Sequence, residues 1–177
     1  TVSDLRLLDL GTGSGCLLLA CLSDLVMARG VGIDINPGAV QMASQNAENL
    51  GFSDRAAFYQ RGFSDALDDL GKFDIILCNP PYIPTAQIAH LAPEVAVFDP
   101  HMALDGGVDG LLLWRQLMPV FSALLTERGA VFAEIGEGQA GDVGALARAE
   151  GLVWAQSHAD LSGIERCLVF KKDVQQR

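Results

Sequence analysis

The sequence is poor in basic residues and in any regular spacing of cysteine or histidine. Its 177 residues include 22 acidic and 12 basic side chains, so the formal net charge is −10. A surface this acidic does not attract phosphate backbones, which argues against a nucleic-acid substrate. The four cysteines (Cys16, Cys21, Cys78 and Cys167) form no C-x-x-C pair and have no histidine at ligand spacing. We therefore expect no metal site, no disulfide framework, and buried thiols.

The sequence also lacks a long apolar run. No charged segment precedes an apolar one at the start, so no signal peptide is expected. The most apolar helix candidate, Leu111 to Leu125, contains Arg115 and Gln116 and is too short to span a bilayer. Half of the 177 residues are hydrophobic, enough for one domain with a sizeable core. We expect a single domain over residues 1–177 that lies in the cytoplasm and contacts no membrane.

Short apolar segments alternate with helical patterns along the chain, which predicts an α/β fold with a doubly wound sheet. Seven strands are expected, at 5–10, 30–35, 56–60, 73–78, 129–135, 152–156 and 166–170. Helices are expected at 16–22, 39–50, 111–125 and 139–150. The loop 160–165 is too short for a crossover helix, so the last two strands are expected to be antiparallel. Residues 83–110 form a long connection that we expect to cover a substrate as a lid.

The loop after the first strand contains three glycines in five residues, Gly11-Thr12-Gly13-Ser14-Gly15. Glycine admits positive φ and lets a ligand approach the backbone, and the start of the following helix offers free N–H groups. The G-x-G-x-G spacing is neither that of dinucleotide folds nor that of a P-loop. A ligand loop is therefore expected, with a tight packing turn as the alternative.

Two further residues are candidates for the same site. Asp34 ends the second strand, where an acidic residue reaches ribose hydroxyls in this architecture, and a solvated carboxylate is the alternative. Phe63 follows the third strand and could lie against an adenine ring or pack in the core.

The fourth strand runs directly into Asn79-Pro80-Pro81-Tyr82. The two prolines make this corner rigid, and the end of a parallel strand delivers Asn79 to the ligand edge of the sheet. The Asn79 side-chain oxygen and the Pro80 carbonyl can each accept one N–H of an NH2 group. This N-P-P-Y sequence resembles the catalytic motif of amino-methyltransferases, and a plain Pro-Pro turn is the alternative.

Six motifs along the chain occur in the order found in one family. They are Leu8 to Gly15, Gly32 to Pro37, Asn79 to Ile83, Phe98 to Gly110, Glu134 to Gln139, and Asp160 to Arg166. Together they resemble the release factor glutamine methyltransferase family, also called HemK or PrmC, over residues 5 to 170. The first three motifs are shared with many methyltransferases, whereas the block D-P-x-x-A-L-D-G-G-x-D-G is narrower.

The resemblance implies a seven-stranded S-adenosylmethionine-dependent methyltransferase fold, Rossmann-like with a terminal antiparallel strand. It implies N5-methylation of the glutamine in the Gly-Gly-Gln motif of class I peptide release factors, with S-adenosylhomocysteine as the product. The implied catalytic residues are Asn79, Pro80 and Tyr82, and these residues with Pro81 would bind the substrate. The implied cofactor residues are Asp9, Gly11, Thr12, Gly13, Ser14, Gly15, Asp34, Ile35, Phe63 and Asn79.

The chain departs from the family pattern at Gly62, where the family usually has an acidic residue, and at Asp99, where a Glu is commoner. Family members also usually carry a helical amino-terminal domain, which we expect to be absent from this chain. A monomer that binds no nucleic acid is expected. Three alternatives stay open: an adenine-N6 methyltransferase acting on RNA or DNA, a module that binds cofactor or release factor without turnover, and a NAD-dependent dehydrogenase, which the glycine spacing disfavours.

Overall fold

The structure, a computed structural model, describes residues 4–91 and 101–173, with the side chain of His101 excepted. Its strands are β1 Arg6–Leu10, β2 Arg29–Asp34, β3 Ala56–Gln60, β4 Phe73–Cys78, β5 Leu125–Glu134, β6 Leu152–Ala159 and β7 Glu165–Lys172. The α-helices described are α1 Cys16–Asp24, α2 Pro37–Asn49, α3 Thr85–Ile88, α4 Leu112–Leu124 and α5 Ala140–Ala149. Two short 3-10 helices lie at Asp68–Leu70 and His101–Ala103.

All seven strands form one sheet in the order β3-β2-β1-β4-β5-β7-β6. Strands β1 to β5 are parallel to one another, whereas β7 is antiparallel to both β5 and β6. This arrangement confirms the predicted α/β class, the seven strands and the antiparallel final pair. The chain leaves β1 toward β2 on one side and later returns to β4 on the other side. The carboxyl end of β1 is therefore the point where the strand order reverses, which is where open α/β sheets bind ligands.

Strands β3 and β4 have the predicted bounds, but β5 and β6 are longer than predicted. β5 begins at Leu125, directly after α4, and its polar residues Thr126 to Arg128 concealed this first part. β6 continues to Ala159 because it pairs with β7 along its whole length, with irregular register at Trp154/Gln156 and at His158/Ala159. In both strands, pairing with a neighbour outweighs weak local strand propensity.

The main core lies where α4 and α5 pack on the sheet. One face of α4 is buried through Trp114, Leu117, Met118 and Phe121, which recur at helical spacing. Leu111 and Leu125, which flank the helix, are buried as well. These residues share a cluster with Ile76 of β4, Val131 of β5 and Phe170 of β7. A smaller cluster on the other side of the sheet contains Leu7 of β1 with Leu18 and Leu22 of α1. The sheet that carries the ligand edge is thus supported from both faces.

The connection after β4 has regular structure at both of its described ends. Ile83 pairs with Asp105 in a parallel bridge, with hydrogen bonds from Ile83 N to Leu104 O (3.0 Å) and from Gly106 N to Ile83 O (2.8 Å). Helix α3 follows at once. The rest of the predicted lid, with the motif Phe98-Asp99-Pro100, lies outside the described residues over 92–100.

All four cysteines are free thiols, as predicted, but only Cys78 is buried. Cys16 is exposed and Cys21 and Cys167 are half-buried, so the prediction of buried thiols is wrong for these three. Cys16 occupies the first position of α1 and faces outward there. Among the described residues, no helix combines the length and apolar character that crossing a bilayer requires.

Candidate functional site

Three neighbouring strands, β2, β1 and β4, bring the predicted site residues to one edge of the sheet. Leu10, the last residue of β1, lies beside Ile33 of β2 and Cys78 of β4. The glycine loop, Asp34 and Asn79 follow these positions directly. Residues distant in sequence are therefore adjacent at the point where the strand order reverses, as the sequence predicted.

The glycine loop is a tight turn in which all three glycines have positive φ. The φ angles are 75° at Gly11, 55° at Gly13 and 80° at Gly15, a conformation that other residues rarely adopt. A Cβ on Gly15 would lie within 3.1 Å of the Ala43 side chain, whereas a Cβ on Gly13 would meet no atom within 4 Å. Gly15 is thus needed for packing, and the backbone at Gly13 is open to a ligand.

Asp34 links the glycine loop to the start of α2. Its Oδ2 accepts a hydrogen bond from Gly13 N (2.9 Å), and its Oδ1 accepts one from Asn36 N (2.9 Å). A carboxylate offers about four acceptor positions, so both oxygens retain capacity for a ligand hydroxyl. Asn36 in turn caps α2 through a 2.8 Å bond from Gly38 N, with Pro37 in the first turn.

Asp9 lies buried beneath the same loop, with only 1% of its surface exposed. Its Oδ2 accepts a 2.7 Å hydrogen bond from Thr12 Oγ1. Burial raises the pKa of Asp9 from 3.8 to about 6, although the Thr12 hydrogen bond acts in the opposite direction. A carboxylate this enclosed holds the loop in place from below, while its predicted contact with a cofactor stays a prediction.

Phe63 lies beside the glycine loop and also packs on the main core. Its Cζ is 3.4 Å from the position that a Cβ on Gly11 would occupy. Next to it, Asp65 Oδ2 accepts a 2.7 Å hydrogen bond from Gly62 N, and Ile35 Cδ1 is 3.6 Å from the position of a Cβ on Gly62. The Asp65 carboxylate therefore lies beside Gly62, where the family usually has an acidic residue. The sequence analysis missed Asp65, which only the turn at 62–65 reveals.

The N-P-P-Y corner presents two hydrogen-bond acceptors. Asn79 is exposed and Pro80 is buried, while Pro81 and Tyr82 are half-buried. Within the described part of the chain, neither the Asn79 carboxamide nor the Pro80 carbonyl makes a hydrogen bond. Residues 79–83 line a cavity of about 220 Å³ together with Ala103 and Leu104. The corner can therefore receive a polar group without breaking an existing bond.

Tyr82 is held at its side chain and at its backbone by residues to which the sequence analysis assigned no role. Its hydroxyl donates a 3.0 Å hydrogen bond to Glu134 Oε1, and its carbonyl accepts one of 3.0 Å from Gln139 Nε2. Burial, followed by the Glu134 charge, raises the pKa of Tyr82 to about 12. The Tyr82 phenol is thus a neutral donor at physiological pH. Glu134 and Gln139 both belong to one of the six motifs, and this membership was the sequence signal that could have identified them as site residues.

The described residues contain no group of three or more His, Cys, Asp and Glu side chains that could hold a metal ion. The site instead consists of a backbone loop, a strand-end carboxylate, an aromatic ring and a pair of oxygen acceptors. Such a set suits a small organic ligand next to an NH2-bearing substrate.

The model of the methyltransferase domain family matches residues 1–124. The chain belongs to this family. Its fold agrees: the chain superimposes on a ribosomal protein L11 methylase from Lactobacillus delbrueckii subsp. bulgaricus with a TM-score of 0.70 and 21% identity, over 97% of this chain and 72% of that one. It also superimposes on TrmN from Thermus thermophilus with a TM-score of 0.66 and 20% identity, over 96% of this chain and 44% of that one.

More similar in sequence are proteins named release factor glutamine methyltransferase. The one from Rhodospirillum rubrum is 52% identical over 94% of this chain and 51% of its own length. The one from Bradyrhizobium diazoefficiens is 45% identical over 94% of this chain and 56% of its own length. The resemblance expected from the motifs is therefore confirmed, and the chain spans about half the length of these relatives.

Proposed function

We propose that this chain is the catalytic domain of an S-adenosylmethionine-dependent methyltransferase that methylates the glutamine side chain in the Gly-Gly-Gln motif of class I peptide release factors. The observation that carries the proposal is the pair of free acceptors on the N-P-P-Y corner, next to the glycine loop. The relatives that are 52% and 45% identical to this chain are named release factor glutamine methyltransferase, which is the same reaction. We further propose that it acts as a monomer in the cytoplasm, where release factors work.

The residues at the sheet edge fit S-adenosylmethionine. The open backbone at Gly13 admits the methionine end, both Asp34 oxygens can accept ribose hydroxyls, and the Phe63 ring offers a face to the adenine. The Asp65 carboxylate, which accepts a hydrogen bond from Gly62 N, would be the acceptor for the adenine amine. When bound, the cofactor supplies a methyl group on a positively charged sulfur. The predicted cofactor set is completed by Asp9, Gly11, Thr12, Ser14, Gly15, Ile35 and Asn79.

A glutamine amide needs orientation because its nitrogen lone pair is delocalised into the carbonyl and is a poor nucleophile. Asn79 Oδ1 and the Pro80 carbonyl would each accept one N–H, which fixes the plane of the amide and turns the nitrogen toward the methyl donor. Since both acceptors belong to one proline-stiffened corner, little ordering is required when substrate binds. Orientation of this kind can lower a barrier by up to about 7–11 kcal/mol in favourable cases.

Charge favours a protein substrate over a nucleic acid. An adenine amine presents the same NH2 geometry, but an enzyme acting on it must also hold an extruded base and its phosphates. The chain carries a net charge of −10, which disfavours phosphate binding and suits a partner with basic surface. The release factor is therefore the partner we propose.

The test is a methyl-transfer assay with radiolabelled S-adenosylmethionine and three parallel samples: an unmethylated class I release factor, an adenine-containing oligonucleotide, and no acceptor. We expect label only on the release factor, on the glutamine of its Gly-Gly-Gln tryptic peptide. A second release factor with that glutamine changed to alanine is the matched control. Label on the oligonucleotide would support the adenine alternative. Cofactor binding without labelling of any acceptor would support a non-catalytic module.

A further inference from the structure

The side chain of Gln139 joins three separate loops behind the N-P-P-Y corner. Its Nε2 donates to Tyr82 O (3.0 Å) and to Gly110 O (3.3 Å), and its Oε1 accepts from Gly136 N (2.9 Å). The two carbonyl oxygens can only accept, so they must face the NH2 group of Gln139, and the Gly136 N–H can only donate, so it must face the Gln139 oxygen. These partners therefore determine the orientation of the side-chain amide. The side chain thus uses both of its donor hydrogens and its acceptor.

One of the three partners, Tyr82, lines the candidate substrate cavity. Its neighbour Ile83 and the cavity residue Leu104 are joined by the backbone bond from Ile83 N to Leu104 O, and Leu112 N extends this ladder with a 2.9 Å bond to Gly106 O. The segments approach so closely that a Cβ on Gly110 would lie 2.5 Å from Tyr82 O and 2.7 Å from Gln139 Nε2. Only glycine fits there, and the Gln139 side chain bonds to both segments at this point, in addition to the backbone bonds between them.

We infer that Gln139 is a positioning residue for methyl transfer: by fixing the Tyr82 carbonyl it sets where the Pro80 carbonyl points. Only Pro81 and the Tyr82 peptide separate these two carbonyls, and the proline ring restricts rotation between them. With the Tyr82 hydroxyl held by Glu134, the corner is anchored at both ends of one residue. This inference rests on the proposed function, because it assigns the Pro80 carbonyl to the substrate amide.

The test compares Gln139→Glu and Gln139→Met with the wild type, and with Gln116→Glu, the same change at an exposed position of α4. At pH 8 the Gln139→Glu carboxylate would face two carbonyl oxygens, so we expect kcat to fall about tenfold or more. When protonated, the acid can again donate to Tyr82 O and accept from Gly136 N. Its kcat relative to wild type should therefore recover as the pH is lowered, whereas Gln139→Met should stay low at every pH. The affinity for S-adenosylmethionine should stay unchanged.

The ratio of variant to wild-type kcat at each pH removes the titration of other groups, including Asp9 and Tyr82. A ratio near one at all pH values in both Gln139 variants would overturn the inference, and so would a loss confined to cofactor affinity. Hydrogen exchange at the Ile83 and Gly106 amides supplies a readout without activity, and Gln139→Met should make it faster. If the wild type failed to methylate any release factor, the proposed function would fail. Exchange that is unchanged in Gln139→Met would separately overturn the inference that Gln139 holds the corner in place.

Discussion

The hydroxyl of Tyr82 and the carboxylate of Glu134 meet at 3.0 Å although the two residues are 52 positions apart in the chain. The bond joins the corner that follows β4 to the end of β5, and these two strands are neighbouring and parallel. Because Glu134 accepts the phenol proton, that proton is not available to the two acceptors of the corner. Tyr82 also lines the cavity, and the Asn79 oxygen and the Pro80 carbonyl are the groups that we propose to meet an NH2.

This relationship predicts a late titration of Tyr82. In a Tyr59→Phe background, where Tyr82 is the one remaining tyrosine, ultraviolet absorbance should report a pKa of about 12. Glu134→Gln should lower that pKa, because it removes the negative charge while an amide oxygen can still accept the bond. The folded protein holds the Tyr82 hydroxyl proton more tightly than the unfolded chain does. The protonated hydroxyl therefore stabilises the fold below pH 10, and this stabilisation is lost as the pH rises to about 12. Equal pKa values in the two proteins would contradict the assignment.

Asp9 predicts a pH dependence in the acid range. Its pKa is raised from 3.8 to about 6, so the folded protein holds the proton more tightly than the unfolded chain does. The free energy of unfolding should therefore fall as the pH rises through this window, by about 3 kcal/mol for this group. Relative to wild type, Asp9→Asn should gain stability by a similar amount between about pH 4 and pH 7, measured by urea unfolding. Thr12→Val should move the window to higher pH, because it removes a bond that lowers the pKa. A stability difference independent of pH would count against this account.

Asp34 predicts a loss of cofactor affinity. Asp34→Ala removes both the proposed contact to ribose and the acceptor for Gly13 N, so we expect the dissociation constant for S-adenosylmethionine to rise roughly tenfold to a hundredfold. Isothermal titration calorimetry measures it directly, with Asp24→Ala, an exposed carboxylate at the end of α1, as the matched control. Unchanged affinity in Asp34→Ala would remove this residue from the site.

We expect Gly110→Ala to lower stability by more than backbone strain alone explains. Gly110 and Gly51 have φ angles of 74° and 75°, but a Cβ would meet Tyr82 O at 2.5 Å in the first case and no atom within 4 Å in the second. Gly51→Ala should therefore cost only the strain of a left-handed alanine, about 1–2 kcal/mol. Gly110→Ala should cost about 1–3 kcal/mol more and reduce kcat, because it forces the corner and the Gly106–Gly110 segment apart. Equal unfolding midpoints would show that the two segments do not pack as described.

Local sequence signals were sufficient to predict the sheet and the candidate site residues at its ligand edge. β3 and β4 were predicted with their final bounds because each is a mostly apolar segment between polar turns. The positions of Gly13, Asp34 and Asn79 followed from strand ends and from the rule that parallel strands share one ligand edge. The start of β5 was missed because Thr126 to Arg128 are polar and become strand only through pairing.

The supporting contacts were beyond local reasoning. The bond from Gln139 to Tyr82 joins residues 57 positions apart, and no periodicity or turn signal specifies it. The role of Asp65 depends on the particular turn that returns its carboxylate to Gly62 N. Such bonds are made by side chains whose meeting depends on the whole fold, so a motif can mark their members but cannot pair them.

The central claim is that the Asn79 carboxamide orients the substrate amide, and single-turnover methylation of the release factor by Asn79→Ala tests it most directly. The account predicts a rate lower by a factor on the order of a hundred or more, by analogy with the loss of one oriented hydrogen-bonding group, at unchanged affinity for S-adenosylmethionine. Near-wild-type transfer by this variant would contradict it.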